Sequence, residues 1–297
     1  MSIRLNPDLL PDLLASIQQS QANQNTATEQ LSSGRSVNQL SDNPAAAAAV
    51  VQNHNQASQD VQYLQSMDSL QGRFQVADSA LSNVVTVLTR ALSLGVEGAN
   101  GTLNAGDQQA IASEVQGLLN QTVSLGNTSY QGSYLFGGTA VTTQPFTLNT
   151  VANTVTYNGN ASTTSVQLSA GVSITANVPG SQLFQNASGS ALGALQNLYS
   201  ALNTGTNIPA AVTQVQNALT QVDVQRVTYG NALNQITLSQ NFLNQDKINL
   251  STQENALVGI DPAVAATDFS RAQVADQATL SATAKILSLP TLLDFLK

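Results

Sequence analysis

The feature that most constrains this chain is a stripe of apolar residues spaced alternately three and four apart: Met67, Leu70, Phe74, Ala77, Leu81, Val84, Leu88 and Ala91. That spacing places them all on one side of a helix of about seven turns. An apolar stripe of this length has to be covered by other helices. The stripe therefore predicts a long helical bundle with Met67, Leu70, Phe74, Leu81, Val84 and Leu88 in its core. Most such stripes are intramolecular core, and this one is read so.

Three other segments keep the same alternation with different side chains. Near the N-terminus it runs through Leu10, Leu13, Ile17, Ser20, Gln24, Ala27 and Leu31, with two polar residues in the seam. At the far end it runs through Ala272, Ala275, Thr279, Ala282, Ile286, Leu289, Leu293 and Leu296, small residues first and large ones last, with Pro290 expected to kink or end the helix near Leu289. Between Leu233 and Leu257 it passes through Ile236, Gln240, Leu243, Lys247, Leu250 and Glu254, the pattern of a helix buried along a narrow edge. A shorter helix through Ile111, Val115, Leu118 and Leu125 is expected after the Ala105–Asp107 turn. At Ser41–Pro44 the chain breaks between helices, since Asn43 can cap the next one and Pro44 can take its first position without losing a hydrogen bond.

From about residue 138 to 185 the period changes from 3.6 to 2. Val155 and Tyr157 precede Asn158-Gly159, and the pairs Val166 and Leu168, then Val172 and Ile174, follow. Asn-Gly between alternating segments predicts a β-hairpin turning there. About fifty residues of β structure are marginal alone, so this segment is expected to lean on the helices. Tyr134, Phe136, Gly137, Gly138 and Phe146, with Tyr130, lie where the helical pattern stops; the glycines are read as the exit from the helix and the aromatics as its anchor. The expected fold is mainly α, a long antiparallel helical rod or coiled coil from the N- and C-terminal regions with a small β-rich domain inserted mid-chain. The expected division is 1–42 with 265–297 as a terminal coiled-coil assembly domain, 43–137 with 186–264 as a helical rod, and 138–185 as an outward-facing β domain.

Composition excludes most chemistry. Only 9% of residues are Asp, Glu, Lys or Arg, against about 25% in an ordinary soluble domain, so amides and hydroxyls do most of the solvating. The net charge of -8 opposes binding to nucleic acid or an anionic membrane, and neither is expected as a partner. The longest unbroken apolar run, Ala45–Val51, is far short of the roughly 20 residues that span a bilayer. With no cysteine there is no thiolate nucleophile. The single histidine, His54, lies in a polar run and is read as a solvated residue; the acidic residues are scattered without metal-ligand spacing. Gly137-Gly138 lacks the pattern of a phosphate loop. Neither an enzyme nor a cofactor is expected. The start, MSIRLNPDLLPDLLASIQQ, has prolines and aspartates where a cleaved signal peptide would need an apolar stretch.

LSSGRSVNQLSDNPAAAAAVV, residues 31–51, and ADSALSNVVTVLTRALSLGVEGANGTLN, residues 77–104, resemble the N-terminal signatures of the flagellin superfamily. SDNP at 41–44, GSYLFGGT at 132–139 followed by Pro145-Phe146, and VPGSQLF at 178–184 are more similar to its hook–filament junction members than to the filament subunit. Position 43 is Asn where the family usually has Asp, and Arg35 follows Gly34 without the common second basic residue. The resemblance implies a structural subunit of the bacterial flagellum that joins the hook, through hook-associated protein 1, to the flagellin filament. It implies self-assembly through Leu10, Leu13, Ile17, Leu31, Ile286, Leu289, Leu293 and Leu296 on helices that fold on assembly. It further implies unfolded export through the type III apparatus to the cell exterior, with a cytoplasmic chaperone on the C-terminal helix. Two alternatives remain at this point, the filament subunit itself and a cytosolic helical adaptor.

Overall fold

The computed structural model describes residues 9–287 apart from Thr102, Val151 and 186–189. Among the described residues there are seven helices and six short strands: α1 Leu9–Ser33, α2 Pro44–Gly98, α3 Ala105–Gly126, β1 Ser129–Tyr130, β2 Ser133–Tyr134, β3 Phe146–Asn149, β4 Thr154–Tyr157, β5 Ser165–Ser169, β6 Val172–Thr175, α4 Gly180–Phe184, α5 Ala191–Thr204, α6 Ile208–Val258 and α7 Pro262–Leu287. The chain forms two compact units, Met1–Ser58 with Asp246–Lys297 and Gln59–Gln245. Both α2 and α6 run on through the division.

In the middle unit the whole stripe from Met67 to Ala91 is buried, Met67, Leu81, Val84, Leu88 and Ala91 completely. α6 covers it antiparallel: Phe74 meets Tyr229 edge to face at 5.2 Å, Asp78 pairs with Arg226 at 3.1 Å, and the Gln240 amide donates to Asp68 at 2.8 Å. Burial pushes the Tyr229 hydroxyl well above the usual tyrosine range. α3 and α5 complete the unit through Ile111, Val115, Leu119, Leu192, Leu195, Leu198 and Leu202, all in one apolar cluster with the stripe. Leu118 and Leu125 pack against that cluster half-buried. α5 and the first half of α6 lie outside the sequence patterns picked out above, although Leu192, Leu195, Leu198 and Leu202 have helical spacing.

Local chemistry sets the helix ends. Asn43 Oδ1 accepts the Ala46 N–H at 3.1 Å, with Pro44 first in α2 as its sequence predicts. Asn104 caps α3 by accepting from Asp107, so Ala105–Asp107 is that helix's first turn rather than a turn before it. Ser190 caps α5, and Gly205 ends it in the left-handed conformation, φ 65°.

The β segment is three separate antiparallel hairpins, β1–β2, β3–β4 and β5–β6. None turns at Asn158-Gly159. The hairpin expected there requires positive φ at both central residues, and neither residue has it. The Asn158 N–H instead donates to the Pro145 carbonyl at 2.7 Å, extending the β3–β4 pairing past Tyr157. The tight turn of this type is at Gln131-Gly132, φ 50° and 79°, between Tyr130 and Ser133. Phe146, Leu168 and Phe184 belong to the same apolar cluster as the helices, so the β segment shares the core of the middle unit.

Candidate functional site

The terminal unit is built on α1 packed against α7. An isolated antiparallel bridge, Arg35 to Gly259, joins the chain just after one helix to the chain just before the other. The Ser36 N–H donates to the Val258 carbonyl at 2.7 Å and the Ile260 N–H to the Gly34 carbonyl at 3.2 Å. On α1 the expected seam faces inward, with Leu13, Ile17 and Gln24 half-buried and Ser20 and Ala27 buried. Leu31 is 39% exposed; Gln30 turns in beside it and donates to the Ser36 carbonyl at 3.0 Å.

The α7 seam differs from its sequence reading. Ala272 and Thr279 are half-buried as expected, but Ala275 and Ala282 are exposed, and Asp276 and Thr283 take the inward positions. Alanine is small enough to sit on either side of the seam, so spacing alone does not decide which neighbours turn inward. Leu10 and Ile286 lie within α1 and α7 but their side chains, with all of Pro290, Leu289, Leu293 and Leu296, fall outside the described residues. Ser20 Oγ and Asp276 Oδ1 are shut away from solvent without a hydrogen-bond partner.

Polar contacts fasten the connection between α1 and α2. Glu254 on α6 pairs with the Arg35 guanidinium, and its other carboxylate oxygen lies 3.0 Å from His54 Nε2. His54 is exposed, as read from its surroundings, yet is drawn to this carboxylate. Asp42 Oδ2 accepts the N–H groups of Asn38 and Gln39, both at 2.9 Å. The Gln39 bond first, then the Asn38 bond, hold the Asp42 carboxyl below its ordinary range.

The joint into the β segment is an aromatic cluster. Phe184 stands edge-on to Phe136 at 5.3 Å and to Phe146 at 5.1 Å, and Phe146 lies 5.1 Å from Tyr157. The Tyr157 hydroxyl lies 2.9 Å from the Phe136 carbonyl, to which it donates. Phe136, Gly137, Gly138 and Phe146 are buried and Tyr134 is half-buried. Tyr134 makes no ring contact here, and Tyr130 lies over Gly72 on α2 instead. Sequence reading missed Tyr157 and Phe184, both of which lie in stretches it had marked. It also missed Asn127, whose amide donates to the Phe146 carbonyl and accepts the Phe146 N–H, both at 2.8 Å, and so clamps β3 to the end of α3. Gly180 has no room for a side chain: a methyl there would sit 2.7 Å from both the Phe136 carbonyl oxygen and the Phe146 ring.

No group of three His, Cys, Asp or Glu among the described residues is placed to hold a metal. By length and composition α2 is long and apolar enough to cross a bilayer, but its apolar stripe is taken up by the core of the middle unit.

The family profile for the bacterial flagellin N-terminal helical region matches residues 11–141, and that for the C-terminal helical region matches residues 212–296. Flagellar hook-associated protein 3 of Escherichia coli K12 is 27% identical over 238 residues, covering 78% of this chain and 74% of its own. Flagellar hook-associated protein 3 of Salmonella typhimurium LT2 is 25% identical over 292 residues, covering 90% of this chain and 91% of its own. Among solved structures, flagellar hook-associated protein 3 of Legionella pneumophila superposes with a TM-score of 0.62 at 16% identity over 70% of this chain and 98% of that one. FlgL of Xanthomonas campestris superposes with a TM-score of 0.58 at 17% identity over 67% and 97%. These two show a shared fold.

Proposed function

The chain belongs to the bacterial flagellin family, and we propose that within it this chain is the structural subunit joining the flagellar hook to the filament. The observation that carries the reading is the likeness to the Salmonella typhimurium hook-associated protein 3, which runs through nine-tenths of both chains. The role is mechanical, and the residues fit it: neither a catalytic group nor a cofactor is required.

In this reading the terminal helices form the assembly interface, with Leu10, Leu13, Ile17 and Leu31 on one and Ile286, Leu289, Leu293 and Leu296 following on the other. The inward positions of α1 and α7 support this, because serine, glutamine, alanine and threonine there return little burial energy within one chain. Segments of that kind order fully when neighbouring subunits cover them. The Phe136, Gly137, Gly138 and Phe146 joint, flanked by Tyr134, holds the β segment toward the outside. The partners are further copies of the chain, hook-associated protein 1 on the hook side and flagellin on the other. The chain travels unfolded through the type III apparatus, its C-terminal helix held beforehand by a chaperone.

Immunogold labelling of intact flagella tests the reading. Label confined to a short zone beside the hook, with unattached flagellin secreted by a strain lacking the gene, is the expected result. Label along the whole filament would make the chain a filament subunit, and absence from sheared flagella would make it neither.

A further inference from the structure

The 35–40 loop, the start of α2 and the end of α6 enclose a groove of about 190 Å³, lined by Val37, Leu40, Val50, Val51 and Val258 with Arg35 among them. Leu40 is 69% exposed and Val51 55% exposed. An apolar cavity of about 150 Å³ accommodates a benzene ring, so this volume suits one or two leucine side chains. The groove is preformed. Ser36 is tied to Val258 through the backbone, and Asn38 and Gln39 through their N–H groups to the Asp42 carboxylate, so little ordering is left for binding to do.

We propose that this groove receives the leucine-rich segment 288–297 of a neighbouring copy of the chain; the inference rests on the reading that copies assemble. The segment reads SLPTLLDFLK and offers Leu289, Leu292, Leu293, Phe295 and Leu296 to an apolar groove. The first eight residues, MSIRLNPD, offer fewer large apolar groups.

Reach decides between the chain's own segment and a neighbour's. α7 begins beside the Gly34–Ile260 bond, at the groove end of this unit, and runs for 26 residues, which is about 39 Å at 1.5 Å per residue. The ten residues after Leu287, fully extended, span at most about 36 Å. Leu292 and Leu293 lie within about 22 Å of Leu287 even in a fully extended chain and fall short of the groove on their own chain. Groove and segment are complementary yet out of each other's reach, so each copy gives its segment to one neighbour and receives one from another. Such a contact is heterologous, and it propagates instead of closing into a dimer.

Because the chain has no cysteine, paired substitutions give a clean test. A strain whose only copy carries Leu40→Cys with Leu293→Cys is grown, its flagella are isolated and mildly oxidised, and the proteins are run on a non-reducing gel. Disulfide-linked dimers and higher multiples of this chain are expected, absent from either single variant and from Leu40→Cys with Leu280→Cys. A second pair, Val51→Cys with Leu292→Cys, is expected to link in the same way and covers the case in which the first variant fails to assemble. Flagella that carry both double variants without linked chains would overturn the pairing while leaving the junction reading intact. So would a disulfide formed within single chains in dilute solution, or a link from position 40 to flagellin. Absence of the unmodified chain from flagella would sink the junction reading and this pairing with it.

Discussion

Along α2 from Met67 to Leu94 every inward position is apolar and at most 5% exposed, whereas along α1 the inward run is Leu13, Ile17, Ser20, Gln24 and Ala27, of which only Ser20 and Ala27 are buried. Both helices follow the same alternation of three and four, so spacing makes the two stretches look alike and side-chain size sets them apart. A fully buried Leu, Val, Phe or Met is worth about 1.5–3 kcal/mol, and a serine or alanine much less. The middle unit can settle its packing within one chain. The side chains along α1 return correspondingly less burial energy within one chain.

The largest expected effect breaks the stronger side of this comparison. Leu81 is completely buried, and Leu81→Ala is expected to cost about 2–5 kcal/mol. For a unit of this size that lowers the melting temperature by roughly 5–15 °C. Leu31→Ala in the terminal unit is expected to stay within about 0.5 kcal/mol. Thermal unfolding of both variants checks the contrast; comparable losses would mean that the two seams are equally self-sufficient.

Gly180→Ala is the next largest. The added methyl meets a backbone carbonyl and the Phe146 ring, and neither yields easily. Overpacking of this kind costs about 1–3 kcal/mol, and here it should appear as faster amide exchange across β3 and β4 with α1 and α7 unchanged. Exchange that rises equally in the terminal helices would show that the joint and the terminal unit unfold together.

Smaller effects belong to the α1–α2 connection. Glu254→Gln removes the carboxylate shared by Arg35 and His54, and partly exposed pairs of this sort contribute about 0.2–1 kcal/mol. Acid acts on the same loop through Asp42. Its carboxyl is held below the ordinary value of 3.8 in the folded chain, so its contribution is present above that value and is lost as pH falls through the lower, folded one. The Asn38 and Gln39 amide resonances should shift in that window, and Asp42→Asn should abolish the shift.

How much was legible in the sequence follows the same division. The α2 stripe could be read because large apolar residues alternate with polar ones, leaving one face to bury. The α7 seam was misassigned at Ala275 and Ala282 because alanine fits a core and a surface almost equally well. Asn158-Gly159 misled for a different reason: its residue types permit a tight turn, but the strand pairing that would demand one is absent, and Gln131-Gly132 makes that turn with a less suggestive pair. Phe184 and Tyr157 complete the aromatic joint from 38 and 11 residues beyond Phe146, separations that no local period connects.

The smallest effect sharpens the comparison most. Ser20 is buried on α1 with its hydroxyl unpartnered, and leaving such a group dry costs about 1–3 kcal/mol against an apolar replacement of similar shape. Ser20→Ala removes the hydroxyl and little volume, so α1 should become slightly more stable, by a few tenths to about 1 kcal/mol after the small cavity is counted. Amide exchange in α1 should slow several-fold while exchange in α2 between Met67 and Leu94 is unchanged. If the hydroxyl serves a neighbouring subunit in the assembled junction, the same variant should hold filaments less firmly against shear even though its monomer is more stable. Opposite signs in the two measurements would mark position 20 as one whose chemistry is set by assembly; gains in both would make it a defect of the monomer's packing alone.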